Sequence, residues 1–407
     1  MPKDEFSEAI SRKLCTDCGV SRTKDPARCG QVCQFIKPDY PAQEKRVHGR
    51  ARDGAREDEL FFGPYLDMHR AWAKQPSDGA QWSGLTTRIA EKLLASGTVQ
   101  AVLTMVPDPE DRWRPVPALI TESGDMARAR GMRMGYAPLL ALLEPARERG
   151  ITRLAVIGIP CQVYALRALE AELGFERLYV IGTPCSDNTT TENFHEFLGR
   201  LTDRPDQVSY LEFRADYQVE LRFDDGAQRE IPFLKLPISD LPSDFFPLTC
   251  RTCVDYTNAL SDITVGYMAG QGEQWLIVRN ERGRDLVRML GDEVRLAPVG
   301  TKGKRDGAVK GFIVNTELAA GGLPLRRMPD WLRPLMAWLQ PKIGPRGLEF
   351  ARARLEMKAA ETVLHLRRHH PRRMKYMIPA HVWALVAPYG LKPEAGETPE
   401  VAPSREG

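Results

Sequence analysis

The chain has 407 residues, of which 43% are apolar and 27% charged, so it can bury sizeable cores in two or three domains. Its 57 basic and 54 acidic side chains nearly cancel, which excludes a general attraction to nucleic acid or to an anionic membrane. No apolar stretch reaches the roughly 18 residues of a membrane span, and residues 1–14 carry no signal-peptide core. We therefore expect a cytoplasmic protein whose eight cysteines serve metal or redox chemistry instead of disulfides.

Four cysteines stand close together near the N-terminus. Cys15 and Cys18 form a Cys-x-x-Cys pair, and Cys29 and Cys33 follow with three residues between them. Four thiolates within 19 residues can surround one metal centre, either zinc or an iron–sulfur cluster. The ten-residue gap between the two pairs is looser than the ferredoxin spacing, and Gln34 follows Cys33 where ferredoxins have Pro. The spacing therefore leaves zinc and iron–sulfur chemistry both open.

Residues 78–87 read DGAQWSGLTT and lead into a helical pattern at residues 85–95. A turn with Gly and Ser before a helix presents free backbone N–H groups and the positive end of the helix dipole, which suits a pyrophosphate. A plain N-cap at Ser83 explains the same residues.

An alternation of strands and helices follows, up to about residue 199. The predicted elements are strands at residues 99–106, 116–120, 153–159 and 177–182 and a helix at residues 162–173 that stops at Gly174. The last two strands and the helix between them form a βαβ unit, which predicts parallel strands with a right-handed crossover. This part of the chain is therefore α/β.

Two cysteines follow matching strand ends. Cys161 comes after Pro160 at the end of one strand of the βαβ unit, and Cys185 comes after Pro184 at the end of the other. The carboxyl ends of parallel strands lie at one edge of the sheet, where open α/β sheets bind ligands. Buried core cysteines are the alternative, although such cysteines fall inside strands. Together with the later Cys250-x-x-Cys253 pair, the two would form a second four-thiolate site.

The pattern changes after residue 207. Residues 208–231 alternate around a turn at residues 224–226, which predicts an antiparallel hairpin. Further strands are predicted at residues 262–267 and 275–279, and a helix at residues 281–290. Residues 325–375 are helical in pattern and contain 13 Lys or Arg against 4 Asp or Glu. A solvated helix face explains this charge, and a docking surface for an acidic protein or for anionic lipid is the alternative.

Seven segments together resemble the family of deazaflavin-dependent hydrogenase and dehydrogenase beta subunits, and more narrowly its chlorophyll-metabolism branch. The segments are GAQWSGLTT (79–87), DPEDRWRP (108–115), CQV with ALR (161–167), GTPCSDN (182–188), CRTCVDYTNALSDITVGYMA (250–269), VRNERGR (278–284) and GPRGLEFARARLE (344–356). The similarity extends from about Cys15 to about Leu355.

The resemblance implies FAD, two 4Fe-4S clusters and reduced ferredoxin as the electron donor. It assigns one cluster to Cys161, Cys185, Cys250 and Cys253 and an additional N-terminal cluster to Cys15, Cys18, Cys29 and Cys33. An exchange of one ligand between the two sets stays open. It assigns the flavin contacts to Gly79, Gln81, Trp82, Ser83, Gly84, Thr86, Thr87, Asn258 and Arg279.

The implied reaction is reduction of the 8-vinyl group of a divinyl chlorophyllide to an ethyl group. Ferredoxin delivers single electrons and the reaction takes two electrons and two protons, so the flavin must collect electrons and pass them on as a hydride. Asp255 is the candidate proton donor, with a turn cap as its alternative role. Because the sequence starts without a transit-peptide pattern, we expect the 8-vinyl reaction in preference to reduction of the 7-hydroxymethyl group of chlorophyll a, a plastid reaction.

The expected fold is α/β, a mixed sheet with parallel βαβ units and an antiparallel addition, between an N-terminal iron–sulfur segment and a helical C-terminal region. The predicted domains are residues 1–60 (iron–sulfur segment), 61–200 (flavin-binding α/β domain), 201–324 (second cluster and active site), 325–391 (basic helical region) and 392–407 (disordered tail). The expected partners are reduced ferredoxin, a chlorophyllide-type tetrapyrrole and further copies of the chain, with at most peripheral contact with a photosynthetic membrane and no nucleic acid.

Two other functions stay open at the level of sequence. One is an electron-transfer beta subunit of a hydrogenase or formate dehydrogenase complex. The other is a zinc-stabilised binding protein whose basic C-terminal region contacts nucleic acid, with an affinity that falls steeply with salt.

Overall fold

The structure of the protein is a computed structural model that describes residues 15–36, 38–214, 216–267, 274–324 and 328–398. The first 14 residues of the predicted iron–sulfur segment and the end of the predicted tail, residues 399–407, lie outside these ranges.

The described strands form three sheets. They are β1 Asp67–Ala73, β2 Ala101–Pro107, β3 Pro115–Ile120, β4 Arg153–Gly158, β5 Arg177–Gly182, β6 Val208–Phe213, β7 Gln218–Phe223, β8 Gln228–Pro232, β9 Ile263–Tyr267, β10 Gln274–Val278, β11 Val294–Pro298, β12 Thr301–Lys302 and β13 Arg346–Gly347. The main sheet has eight strands in the order β11-β1-β10-β9-β5-β4-β2-β3, β6 to β8 form a separate sheet, and β12 pairs with β13.

The described α-helices lie between and after these strands. They are α1 Cys29–Val32, α2 Tyr40–His48, α3 Glu59–Phe62, α4 Leu85–Ala95, α5 Leu143–Glu148, α6 Pro160–Leu173, α7 Thr191–Leu201, α8 Leu248–Arg251, α9 Glu281–Leu290, α10 Asp306–Leu318, α11 Arg333–Ile343, α12 Leu348–His369, α13 Met374–Met377 and α14 Ala380–Val386. None of the helices in the described ranges is both long and apolar enough to cross a membrane.

The centre of the main sheet is parallel and its flanks are antiparallel. β2 pairs with β4, β4 with β5, and β5 with β9, all in parallel. β3, β10 and β11 each run antiparallel to the strands beside them. The predicted βαβ unit is confirmed: β4 and β5 pair in register from Arg153 with Arg177 to Gly158 with Gly182, and α6 ends at Gly174 with φ 61°.

Helices cover both faces of the main sheet. On one face α4 buries Leu85, Ile89 and Leu93, four residues apart, against strand side chains and α9. On the other face α6 packs through residues such as Leu166 against the N-terminal segment, including Val20. The N-terminal cysteine segment is thus held on the α6 face of the sheet.

Residues 208–232 form three antiparallel strands in a sheet of their own, where the sequence predicted one hairpin. The turn at residues 224–226 joins β7 to β8 as expected, with Gly226 at φ 82°. A second turn precedes β7 and has Tyr217 at φ 65°, a left-handed position that glycine usually occupies. No Gly, Asn or Asp occupies that position, and the local turn signal is Asp216, whose Oδ1 accepts from the Gln218 N–H (3.3 Å).

The C-terminal region is helical, and much of its basic charge is used inside the protein. Helix α12 packs in an apolar core with α10 and α14. Arg352 is paired with Asp58, and Lys358 with Asp187. Exposed cations of the described part of this region include Lys342 at the end of α11, Arg368 in the last turn of α12, and Arg372 and Lys375 after it. A solvated basic surface is therefore found at the last turn of α12 and the residues that follow it.

Asp262, directly before β9, ties four elements of the fold together. Its side chain is fully buried and accepts hydrogen bonds from the Val180 backbone N–H (2.7 Å), Arg167 Nη2 (2.8 Å), Asn280 Nδ2 (2.8 Å) and Arg282 Nε (2.8 Å). Burial alone would raise the pKa of Asp262, but the charges of Arg167 and Arg282 hold that pKa below its usual value. The ionised carboxylate is therefore part of the folded structure.

We predict that Asp262→Asn lowers the free energy of unfolding by about 3 kcal/mol at neutral pH, because it removes the only fully buried counter-charge of Arg167 among the described residues and leaves it the half-buried Glu170 alone. The pKa is depressed in the folded state, so the stabilisation is present above the unfolded pKa and is lost as pH falls through the folded pKa. Urea unfolding at neutral and acidic pH should show the difference between the two proteins shrinking in acid. Asp285→Asn, which breaks an exposed pair with Arg288 on α9, is the control and should change stability by less than about 1 kcal/mol.

Candidate functional site

The structure places Cys161 and Cys185 at the adjacent ends of two paired strands, as predicted. Cys161 lies in the first turn of α6 after β4, and Cys185 follows β5. Asn258 holds both strand ends, since its Nδ2 donates to the carbonyls of Gly158 (2.8 Å) and Thr183 (3.3 Å). The backbone N–H of Cys185 also donates to the carbonyl of Tyr256 (3.0 Å). The loop that carries Cys250 and Cys253 is thereby fixed to the strand ends.

All four cysteines of the second set line one small cavity. The lining is completed by residues from the N-terminal segment and the loops after β4 and β5: Thr16, Gln34, Phe35, Ile159, Pro160, Ser186, Asp187 and Asn188, beside Cys161, Cys185, Cys250 and Cys253. Thr16 Oγ1 lies 3.6 Å from Cys161 Sγ, and Gln34 Nε2 lies 3.7 Å from Cys253 Sγ. Residues next to the first cysteine set therefore close the cavity of the second.

The two cysteine sets are neighbours in space. Burial raises the pKa of Cys18 well above its usual value, and the nearby thiols of Cys161, Cys33 and Cys29 raise it further. Burial also raises the pKa of Cys33 to about 12, with added effects from Cys29 and Cys15. The thiols of the first set are thus close enough to influence one another's pKa, and Cys161 of the second set also influences the pKa of Cys18.

The thiols surround open space and do not converge on a point. Within the described ranges, no three Cys, His, Asp or Glu side chains lie close enough together to hold a single metal ion. Burial raises the pKa of Cys253 to about 12, although the charge of Lys358 opposes the rise. Any metal centre bound here must displace protons from such thiols, so its binding would depend on pH.

Helix α12 braces the loops of the second set. Arg354 Nη2 donates to Ser186 Oγ (2.6 Å), Lys358 Nζ to Asp187 Oδ1 (2.7 Å) and Thr362 Oγ1 to the carbonyl of Cys253 (3.1 Å). These three residues are spaced by four, so they form one stripe of the helix. The sequence interpretation missed this role, and the four-residue spacing of Arg354 and Lys358 was its only local signal.

A buried ionic network continues from Lys358 behind the cysteine loops. Lys358 Nζ also contacts Glu361 Oε2 (2.9 Å), and Glu361 Oε1 lies 3.5 Å from Arg251 Nε. Arg251 lies in α8, directly after Cys250. The network therefore connects α12 with both ligand loops of the second set.

The predicted flavin segment lies at the same edge of the sheet, after β1. Gly79, Trp82 and Gly84 have positive φ (71°, 59° and 79°), and Gly84 is the N-cap of α4. The side-chain cap at Ser83, which the sequence offered as the alternative explanation of this segment, is not formed. The Ser83 hydroxyl instead accepts from the Ala73 N–H (3.0 Å) and donates to Gln274 Oε1 (3.0 Å).

The side chains of the segment face in two directions. Ser83 and Thr87 are buried, and the Thr87 hydroxyl donates to the Gly84 carbonyl (3.0 Å). Gln81, Trp82 and Thr86 are half-buried. The backbone N–H groups of Trp82 and Leu85 are bound by Glu212 Oε1 (2.9 Å) and Gln274 Oε1 (3.0 Å). The half-buried side chains are thus the parts of the segment that a ligand could reach.

The structure does not bring Arg279 together with this segment. Arg279 follows β10, and five residues of strand, about 16 Å, separate it from Gln274 beside Ser83. Its buried guanidinium donates to backbone carbonyls, including those of Phe62 (2.7 Å) and Thr257 (3.0 Å). Asn258 lies at the strand ends described above, and its buried Oδ1 has no hydrogen-bond partner among the described residues.

Asp255 lies in the loop after Cys253 and is buried. Both of its carboxylate oxygens lie 3.0 Å from the backbone nitrogen of Ala259, which donates to them. The side chain therefore caps the turn that leads to Asn258, the alternative role that the sequence left open.

Comparison with known proteins agrees with this architecture. Residues 68–144 match the model of the N-terminal part of the coenzyme F420 hydrogenase/dehydrogenase beta subunit, and residues 151–299 match the model of its C-terminal part. An uncharacterized protein from Nostoc sp. is 34% identical over 95% of this chain and 96% of its own length. The chloroplastic 7-hydroxymethyl chlorophyll a reductase of Oryza sativa subsp. japonica is 35% identical over 92% of this chain and 82% of its own length.

More distant similarity extends to methanogen proteins. One subunit of the F(420)H(2) dehydrogenase of Methanosarcina mazei is 26% identical over 72% of this chain and 86% of its own length. A chain of the xenon-derivatized F420-reducing NiFe hydrogenase complex from Methanosarcina barkeri superposes with a TM-score of 0.53 at 17% identity, over 73% of this chain and 91% of that chain. This last likeness is one of fold.

We predict that Lys358→Met destabilises the protein by about 3 kcal/mol or more, because Asp187 and Glu361 would stay buried without their shared cation. Lys358→Arg keeps the charge and should lose less. Lys310→Met, at an exposed position on α10, is the matched control. Its free energy of unfolding should stay within about 0.5 kcal/mol of that of the parent. Equal unfolding midpoints for Lys358→Met and the control in anaerobic urea titrations would contradict the role of the network.

Proposed function

Because the chain belongs to the family of coenzyme F420 hydrogenase/dehydrogenase beta subunits and to its chlorophyll branch, we propose that it reduces the 8-vinyl group of a divinyl chlorophyllide with electrons from reduced ferredoxin. Its relatives with named activities are oxidoreductases. The observation that carries the proposal is the cavity lined by four cysteines at the ends of β4 and β5 and in the α8 loop. Redox-active sulfur ligation is the chemistry that such a cavity suits.

The proposed metal centres are two 4Fe-4S clusters. Cys161, Cys185, Cys250 and Cys253 would hold one, and Cys15, Cys18, Cys29 and Cys33 the other. All eight are free thiols in the structure. Four thiols around open space suit a multi-atom cluster better than a single zinc ion, whose ligands converge at about 2.3 Å.

FAD is the proposed organic cofactor, at the segment from Gly79 to Thr87. The first turn of α4 leaves backbone N–H groups without partners inside the helix, and Gln81, Trp82 and Thr86 are accessible beside them. Ser83, Gly84 and Thr87 would shape the turn from within. When bound, FAD would combine single electrons from the clusters into a hydride.

The protein's own side chains would keep water out and hold the reacting groups in place. Thr16 and Gln34 close the thiol cavity from the N-terminal side, and α12 closes it from the other side through Lys358. Asp255 is the proposed proton donor, in addition to the turn cap that it forms with Ala259.

Reduction of the 7-hydroxymethyl group of chlorophyll a is a second candidate reaction. It is supported by the 35% identity with the Oryza sativa enzyme over most of both chains. Both reactions deliver two electrons to a peripheral group of a chlorophyll-type ring, so the same cofactors would serve either of them. An electron-transfer subunit of a larger complex is the third candidate, and it would show no tetrapyrrole turnover alone.

Positive charge near the first cysteine set suits an acidic electron donor such as ferredoxin. Arg373 lies close enough to Cys33 for its charge to oppose the rise in the pKa of that thiol, which burial dominates. The exposed Arg372 and Lys375 flank Arg373 along the chain. An acidic iron–sulfur protein would therefore meet positive charge beside the N-terminal thiols.

We predict that the anaerobically purified protein contains about eight irons and one FAD per chain, and that it converts divinyl chlorophyllide with reduced ferredoxin. Absorption spectroscopy with iron, sulfide, zinc and flavin analysis measures the first, and chromatography of the pigments the second. The initial rate should fall as salt rises, because exposed charges would guide the donor. Zinc without flavin would refute the proposal.

Cysteine variants separate the two clusters, and the substrates separate the two reactions. Cys185→Ser and Cys18→Ser should each remove about four irons, and Cys185→Ser should leave the N-terminal set loaded. Turnover of 7-hydroxymethyl chlorophyll a without turnover of divinyl chlorophyllide would select the second reaction. Loaded protein that turns over neither substrate would favour the electron-transfer subunit.

We predict that Asp255→Asn retains iron and FAD but loses most of its turnover, because the amide keeps an oxygen for the Ala259 N–H but is a poor acid. Asp255→Ala removes the cap as well and should also weaken iron binding. The measurements are cofactor content and kcat for each variant. Full turnover of Asp255→Asn would leave Asp255 as a turn cap only.

A further inference from the structure

Arg133 is a half-buried cation with no carboxylate partner among the described residues. It lies in the loop of residues 130–136, which also carries Arg130 and follows Arg128 at the end of the 3₁₀ helix Ser123–Ala129. Its guanidinium donates only to backbone carbonyls, those of Arg130 (2.8 Å), Met132 (3.4 Å) and Arg128 (3.5 Å). The Arg133 Nε is buried, and no hydrogen-bond partner for it lies in the part of the chain that the structure describes.

Most other arginines withdrawn from solvent have their charge or their N–H groups compensated within the described residues. Among these residues the buried Arg279 has no carboxylate pair, but its Nε, Nη1 and Nη2 all donate to carbonyl or hydroxyl oxygens, whereas the Nε of Arg133 has no such partner there. Arg167 is paired with Asp262, Arg251 with Glu361, and the neighbouring Arg130 with Glu91. Burial lowers the pKa of Arg133, and no neighbouring carboxylate raises it again. Withdrawing an unpaired charge from water is costly, so such a group is retained where a ligand supplies the opposite charge.

The loop position identifies where such a ligand would lie. Gly131 lies between Arg133 and the 79–87 segment. A Cβ added to Gly131 would be 3.3 Å from Arg133 Nη1 and 3.3 Å from the carbonyl oxygen of Gly79, so the guanidinium lies close to the start of that segment. Arg130 Nη1 reaches the carbonyl of Asp78 (3.4 Å). The loop therefore runs along the segment where a flavin is proposed.

The other end of the loop reaches the thiol cavity. Gly135 exchanges hydrogen bonds with Asn188, whose Nδ2 donates to its carbonyl (2.8 Å) and whose Oδ1 accepts from its N–H (3.3 Å). Asn188 lines the cavity of the second cysteine set. Arg133 thus lies between the flavin segment and the thiols.

We propose that Arg133 binds an oxyanion of a ligand seated on residues 79–87, and that this oxyanion is the pyrophosphate of the flavin dinucleotide. Guanidinium groups bind phosphate oxygens through charge-assisted N–H groups. The longest of the present contacts of Arg133, from Nη2 to the carbonyl of Arg128 (3.5 Å), is the one that a phosphate oxygen would most readily replace. This inference rests on the proposed function for the identity of the ligand. The propionate carboxylate of a chlorophyllide is the other oxyanion of the same chemistry.

The test measures FAD affinity of the cofactor-stripped full-length protein by flavin fluorescence. Arg133→Met should weaken FAD binding about ten- to a hundredfold, because a charge-assisted contact is lost. Arg133→Lys should retain part of the affinity as a point charge. Arg128→Met replaces an exposed arginine in the 3₁₀ helix directly before the loop; it is the matched control and should bind FAD as the parent does.

A structural role for Arg133 predicts a different result. If the arginine only braces its loop, Arg133→Met should unfold at a lower temperature than the parent without FAD. If Arg133 is instead a binding group for an anion, Arg133→Met should be at least as stable as the parent in the absence of FAD. Unfolding of the stripped proteins therefore distinguishes the two roles, and a large loss of stability would overturn the proposal.

Further measurements identify the source of the oxyanion. Unchanged FAD affinity, with a raised KM for free-acid chlorophyllide but not for its ester, would assign the site to the propionate and refute the pyrophosphate. Unchanged FAD affinity and unchanged KM would overturn the anion site altogether.

If the parent protein binds no FAD, the proposed function fails first. Calorimetry with inorganic pyrophosphate then tests the site by itself. Binding to the parent but not to Arg133→Met would support the oxyanion site, and equal or absent binding in both would refute it.

Discussion

The site depends on the parallel pairing of β4 with β5. Gly158 and Gly182 are paired at the ends of the two strands, and Cys161 and Cys185 follow each glycine at the same distance along the chain. Gly182 leaves no room for a side chain, since a Cβ there would lie 2.6 Å from Cγ of Asn258. Asn258 in turn adopts φ 59° and bonds to both strand ends. The register thus fixes where both thiols emerge from the sheet.

Buried charge is arranged differently in the framework and at the site. Asp262 is surrounded by cations and amide donors that come from strands and helices on both sides of it, so it stabilises the fold without a ligand. Lys358 is likewise balanced by Asp187 and Glu361. Arg133 has no carboxylate partner among the described residues, and it lies beside the segment with the positive φ angles. Asp262 and Lys358 are therefore compensated by the fold itself, whereas the proposed counter-charge of Arg133 is a bound oxyanion.

The sequence predicted those features whose signals are local. The helices at residues 85–95 and 281–290 have the predicted bounds. Their apolar periodicity and, for the second helix, the N-cap at Asn280 are signals that lie within the helix or directly before it. The placement of Cys161 and Cys185 followed from the strand-exit rule. Ser83 was misleading as a possible cap, since its hydroxyl is bound by Gln274, 191 positions later in the chain. The roles of Lys358 and Arg133 depend on such distant packing, and a charged residue on a helix or loop gives no local sign of its burial.

The cavity of the second cysteine set is enclosed by two parts of the chain outside the residues that match the family models. The matches cover residues 68–144 and 151–299, yet Thr16 and Gln34 approach the thiols from the N-terminal side, and α12 braces the loops from the C-terminal side. The Nostoc and Oryza relatives align over more than nine-tenths of this chain, so the similarity extends well beyond the residues that the family models match. A thiol site built from the common fold is therefore shielded by additional elements, and the same N-terminal element brings four further thiols to it. Cys18 and Cys33 lie close enough to Cys161 for their charges to interact with its charge, so two metal centres held by these sets would be neighbours. Protein would then surround the centre of the second set in place of water.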